Sequence, residues 1–182
     1  MNSLSATYVN TQRRWTEKVP DWIWAPFWET VLILLAGASA WASGHPWLFA
    51  SLGPTAYEQA EKPNQRSSRI YNVIVGHFVG IGAGFLGLWL IGAWSAPKVV
   101  AAAYVSPARL WAAAVAVAVT TIVNLLLKAG QPAALSTTLL VSLGAFQTAG
   151  AVFLLAAGVV IVAVAGEPVR RMRAQRKSAG LT

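Results

Sequence analysis

The sequence contains no cysteine. Disulfides, thiol nucleophiles and thiolate metal sites are all excluded. Charge is scarce as well. Asp, Glu, Lys and Arg make up 11% of the 182 residues, well under the usual share of a soluble domain. Acids are the scarcer sign, six against 14 Lys and Arg. So few charges cannot cover the surface of a soluble domain of this size. HExxH, P-loop and GxSxG signatures are all missing, and no paired carboxylates lie in apolar sequence. The two histidines are too few for a metal centre. No enzyme, cofactor or metal is expected.

What is present is apolar sequence, 56% of the chain, and the fitting solvent is lipid. The net charge of +8 is gathered at the two ends of the chain. Arg13, Arg14 and Lys18 lie at the start, and Arg170, Arg171, Arg173, Arg176 and Lys177 at the finish. A folded basic face for nucleic acid is not implied. A membrane protein with both ends on the positive, cytoplasmic side is.

Four stretches lack Asp, Glu, Lys and Arg: 30–57, 70–97, 110–127 and 129–166. A spanning helix needs about 20 mainly apolar residues. The second and third hold one span each. The first and last are longer and are broken by Gly and Pro. Residues 25–43 form a span, with Pro26 in its first turn, followed by a short piece, 46–57. Residues 131–144 are short, and 146–166 form a full span. The order long, short, long therefore occurs twice, around a polar loop at 95–107.

If both short pieces cross, 12 of the 14 basic residues fall on one side, leaving Lys98 and Arg109 opposite. If both re-enter, only ten do. The positive-inside rule favours six crossings. Three crossings per half give the halves opposite orientation, as in the inverted repeats of secondary transporters. The expected fold is an all-α integral membrane bundle of two such units. Residues 1–24 form an amphipathic lead-in without a secretory signal pattern, 25–168 the membrane domain, and 169–182 a basic, solvated cytoplasmic tail. A homo-oligomer fits so small a bundle.

His77 is the intramembrane side chain that titrates near neutral pH. It can touch substrate or pack helices, and Asn72 shares its segment. Gly76, Gly80 and Gly84 recur every four residues and, with Gly87, let a neighbouring short helix approach closely. Gly53-Pro54-Thr55 and Gln131-Pro132-Ala133 lie in the short segments. Interrupted helices free N–H groups that favour an anion, and Thr55 and Thr137 add hydroxyls. A kink held by neighbours is the plainer reading. Asn124 can glue helices or line a path. Lys128 reads as snorkelling, and Arg66 and Arg69 as a solvated loop. Glu29 and Glu58 sit at segment ends, so no acid is expected deep in a span.

Ser51-Leu52-Gly53-Pro54-Thr55-Ala56, Tyr71-Asn72-Val73-Ile74-Val75-Gly76-His77 and the run Gly130–Leu140 resemble the HPP family of integral membrane proteins. The resemblance covers roughly residues 25–168, and Asn-Val-Ile-x-Gly-His is its most specific element. Gln131, Pro132 and Ala133 stand where the family has its His-Pro-Pro. The resemblance implies transport of a small anion such as nitrite. The substrate-binding candidates are Gly53, Pro54, Thr55, Asn72, His77, Gln131, Pro132 and Thr137. The lipid bilayer of the bacterial inner membrane is the expected surrounding, and nucleic acid is not a partner.

Overall fold

The computed structural model describes residues 19–44 and 48–178. The lead-in up to residue 18, and His45 and Pro46 of the first break, lie outside them. Among the described residues there are seven helices and no strand. They are α1 (Asp21–Ser43), α2 (Leu52–Glu61), α3 (Ile70–Ile91), α4 (Val99–Ala102), α5 (Pro107–Leu126), α6 (Pro132–Ser142) and α7 (Ala149–Ser178). Four of these, α1, α3, α5 and α7, are long and apolar enough to cross a membrane. The two short helices reach only about 15 Å at about 1.5 Å per residue.

Local sequence sets the helix ends. Gly44 and Gly92 close α1 and α3 with φ of 67° and 65°, a left-handed conformation that glycine adopts without a Cβ penalty. Ser106 caps α5 by accepting from the Arg109 N–H, with Pro107 in the first turn. Gln131 caps α6, its Oε1 accepting from the Ala133 N–H. Two expected boundaries move. Helix α1 begins at Asp21, so Pro26 falls in its second turn. The first short helix begins at Leu52 and runs on to Glu61.

The core joins α1, α2, α3, α6 and α7 through Leu32, Leu52, Val73, Val141, Leu155 and Val159. Outside it the usual surface is reversed. Trp41, Trp89, Leu126 and Phe153 are all well exposed, which suits lipid rather than water. The glycine stripe packs as expected. A Cβ at Gly80 would stand 2.7 Å from the Ala134 carbonyl oxygen, and one at Gly84 2.7 Å from Val141, both on α6. Gly87 faces Ala112 and Ala116 of α5 instead.

Ion pairs fix which helix ends lie together. Arg173 near the end of α7 binds Asp21 at the start of α1 and Glu61 at the end of α2. The chain thus leaves this end through α1 and returns to it through α2. Arg109 at the start of α5 marks the opposite end. It donates to Pro97 and Ala96 beyond α3, and to Ser142 at the end of α6. The first is the basic end of the bundle, because Lys62, Arg66 and Arg69 follow α2 there.

The expectation of a solvated tail is corrected. Helix α7 runs unbroken past Pro168 to Ser178. Arg173 and Arg176 are buried. Arg176 donates to the Val19 carbonyl and lies 4.5 Å from the centre of the Trp24 ring. Carboxylates and an aromatic face at the foot of α1 and α2 hold what would otherwise fray.

Candidate functional site

Thr55, His77 and Thr137 meet in the interior, all three fully buried. His77 stands seven residues into α3, about 10 Å from the helix start by helical rise. Its Nε2 lies 3.0 Å from Thr55 Oγ1 on α2, and its Nδ1 2.7 Å from Thr137 Oγ1 on α6. Thr55 also donates its hydroxyl hydrogen to the Ser51 carbonyl at 3.0 Å. A hydroxyl has one hydrogen, so Thr55 can only accept from the ring. Nε2 therefore donates to Thr55, and Nδ1 is paired with the Thr137 hydroxyl. Both ring nitrogens are satisfied. The ring bridges the two short helices through α3.

Of the eight residues expected to bind substrate, these three come together; the others serve different places. The Asn72 amide donates to the Lys128 and Gly130 carbonyls, each at 3.2 Å, and holds the α5–α6 turn against α3. Pro54 and Pro132 point outward and are exposed. Each lies near a helix start, where the missing N–H costs little. The expected cluster of free N–H groups is not seen at α6. The Ala133 and Ala134 amides are both taken by Gln131, and the Thr55 and Thr137 hydroxyls by His77. Gly53 has open space where a Cβ would stand.

Gln131 instead lines a cavity of about 300 Å³ between α5, α6 and the loop after α2. Asn124, Thr121 and Ser67 line it too. Gln131 Nε2 and Asn124 Oδ1 are buried without a hydrogen-bond partner. Backbone of the α5–α6 turn and the stem of Gln131 press on Gly76, the residue before His77. The cavity thus sits just on the basic-end side of the Thr55–His77–Thr137 link.

Two residues escaped the sequence reading. The charge distribution puts Arg109 with Lys98 on the side opposite the other basic residues and says nothing of its burial, yet it is fully buried. Its signal is the Ser106-Pro107 cap, which starts α5 before it and turns its side chain back toward the loop. Glu58 was placed at a segment end, and it is buried in α2 with Oε2 unpartnered. Its signal is spacing: it follows Thr55 by one turn, on the same inward face.

A family model described as "HPP, transmembrane region" matches residues 15–178. No curated protein and no solved structure matches the chain.

Proposed function

This chain belongs to the HPP family of integral membrane proteins, and from that premise we propose that it carries a small anion of the nitrite class across a bacterial inner membrane. Catalysis has no part in this reading. The observation that carries it is the meeting of the two short helices on one buried histidine. Inverted-repeat carriers place matching short helices around a shared central site. The packing supports such a repeat: α1 rests on α2 and α7 much as α5 rests on α6 and α3. With the basic end facing the cytoplasm, both termini are cytoplasmic, in keeping with the positive-inside rule.

A second reading is a non-transporting scaffold, and one observation favours it. His77 is fully satisfied by its two threonines and needs no ligand to complete it. Flux separates the two. Purified protein in liposomes is tested with nitrite, nitrate and formate. A carrier gives flux above that of empty liposomes, and His77→Gln lowers it about tenfold by removing the ring that links α2 to α6. Flux unchanged by His77→Gln makes the histidine a packing residue. No wild-type flux with any of these anions leaves the scaffold reading standing.

A further inference from the structure

The cavity between α5 and α6 opens on the outside of the bundle. Thr121, Leu125 and Pro132 line it and are exposed. Helix α5 is a spanning helix, and Ile122, Leu125 and Leu126 near its end are more than half exposed. The opening therefore meets lipid rather than water. Leu125, Leu135 and Pro132 make an apolar slot of about 300 Å³, with Ser67 and Gly130 at its basic-end rim. Asn124 is the polar exception inside it. Its side chain is buried and Oδ1 has no partner. An amide that no neighbour fixes can turn to present a donor or an acceptor.

Cations gather at the rim. Arg66 precedes Ser67, Arg69 precedes α3, and Lys128 stands two residues before Gly130. The Tyr71 hydroxyl donates to the Leu127 carbonyl at 3.1 Å, and the Asn72 amide holds the Lys128 and Gly130 carbonyls. These bonds seat the α5–α6 turn on the start of α3, so the two loops that carry the cations share one corner. Arg66, Arg69 and Lys128 are all exposed, and none is ion-paired among the described residues. The acids are engaged or placed elsewhere. Asp21 and Glu61 are held by Arg173, and Glu167 by Arg170 and Arg171. Glu29 belongs to α1, which packs on α2 and α7. Glu58 is buried, with Ser67 and Gln131 as hydrogen-bonding neighbours and Lys62 as its cation.

Unpaired cations beside an apolar slot at the end of a spanning helix match one molecule with both parts. Free phosphate would meet the cations and leave the slot empty. A lipid without net charge would fill the slot and leave the cations unanswered. We propose that this corner seats an anionic phospholipid of the leaflet at the basic end. Its phosphate lies among Arg66, Arg69 and Lys128, and an acyl chain lies in the slot. The Asn124 amide then donates to an ester carbonyl of the lipid backbone. The bound lipid braces the α5–α6 turn, whose backbone presses on Gly76 of α3. Occupancy is thus read as stability of the fold, whether or not the chain carries an anion.

The test melts full-length protein in detergent with phosphatidylglycerol, phosphatidylcholine or inorganic phosphate. At about ten times its dissociation constant, phosphatidylglycerol should raise melting by a few degrees. Phosphatidylcholine should raise it less, and phosphate should leave it unchanged. Each Lys or Arg near an anionic surface strengthens binding about fivefold. Arg66→Gln, Arg69→Gln and Lys128→Gln together should therefore lower affinity for phosphatidylglycerol about a hundredfold and leave phosphatidylcholine unaffected. Arg171→Gln lies outside the corner and should keep the wild-type preference. Thr121→Trp fills the slot from an exposed position while keeping every charge, and it should lose most of the shift.

An undiminished preference for phosphatidylglycerol in the triple variant overturns the proposal. So does an undiminished shift in Thr121→Trp. Two outcomes with wild-type protein alone also overturn it, so the decision does not hang on a variant folding. One is equal stabilisation by phosphatidylcholine and phosphatidylglycerol. The other is a shift with inorganic phosphate as large as with phosphatidylglycerol, which would make the corner a phosphate site without a lipid chain.

Discussion

The two ends of the bundle are tied by the same residue type in different company. At the basic end the fully buried Arg173 joins the start of α1, the end of α2 and its own α7. At the opposite end the fully buried Arg109 joins its own α5, the end of α6 and the loop after α3. Each arginine thus gathers three helix ends, and the two sets correspond under exchange of the halves. The partners differ. Arg173 meets two carboxylates, whereas Arg109 meets three neutral carbonyls. Carboxylates accept charge-assisted bonds roughly twice as strong as neutral ones. A fork of five donors can serve either set, which a lysine cannot do. The placement of acids thus tells the two ends apart. The described chain has no Asp or Glu between Glu61 and Glu167, so nothing at the Arg109 end can neutralise it.

Removing each arginine breaks this comparison most directly. Arg173→Ala leaves Asp21 and Glu61 together with Lys177 as the one remaining cation on Glu61. Truncating one side of a buried pair costs about 3–5 kcal/mol, and the partial exposure of Asp21 and Glu61 puts this loss at the low end, about 3 kcal/mol. We expect the largest loss of thermal stability here, and Arg173→Met with Glu61→Gln should recover part of it. Arg109→Ala should cost less, about 1–3 kcal/mol, because it strands neutral carbonyls rather than charges. Thermal unfolding in detergent measures both. A larger loss from Arg109→Ala would show that the uncharged clamp is the stronger one.

Salt sharpens the comparison with a smaller effect. Asp21 keeps 42% of its side-chain surface exposed and Glu61 28%, so ions can screen their pairs in part. The carbonyl clamp carries no counter-charge to screen. Raising salt should therefore lower wild-type melting by a few degrees at most, and Arg173→Ala should remove that dependence. Arg109→Ala should keep it. Salt dependence that persists in Arg173→Ala assigns the effect to other pairs, with Glu167 and Arg171 the exposed candidate.

These expectations also show which features could be read from sequence. The long helices were legible because lipid forces uncharged runs of a set length. The glycine stripe on α3 was legible because a four-residue period admits few explanations, and its neighbour is indeed the short helix α6. The meeting of Thr55, His77 and Thr137 followed from polar residues placed in otherwise apolar segments. The fate of the charges did not follow. Arg109, Arg173 and Glu58 look like loop or tail residues by position, and all three are buried. Their burial depends on which helix ends meet, and composition says nothing of that. The same holds for Gln131. Its residue type suggested a ligand, but its Oε1 is used as a helix cap.

The smallest expected effect compares two of the glycine contacts that pair the halves. Gly80 of α3 faces α6, and Gly166 of α7 faces α2. What a Cβ would meet differs. At Gly80 it meets the Ala134 carbonyl oxygen at 2.7 Å and Thr138 Oγ1 at 2.9 Å. A backbone atom in a helix cannot step aside, so α3 and α6 must separate, and Gly80→Ala should cost about 1–3 kcal/mol. At Gly166 it meets the terminal amide of Gln59. That amide is the free end of a side chain, held by one bond from Nε2 to the Ala163 carbonyl at 3.2 Å, while its Oε1 has no partner. Swinging it away forfeits that single bond, about 0.5–1.5 kcal/mol. In return, alanine gains about 0.5–1 kcal/mol over glycine within a helix. Gly166→Ala should thus melt within a few degrees of wild type while Gly80→Ala melts well below it. Equal losses at the two positions would mean that Gln59 is as immobile as backbone, and that α2 is seated on α7 as rigidly as α6 is on α3.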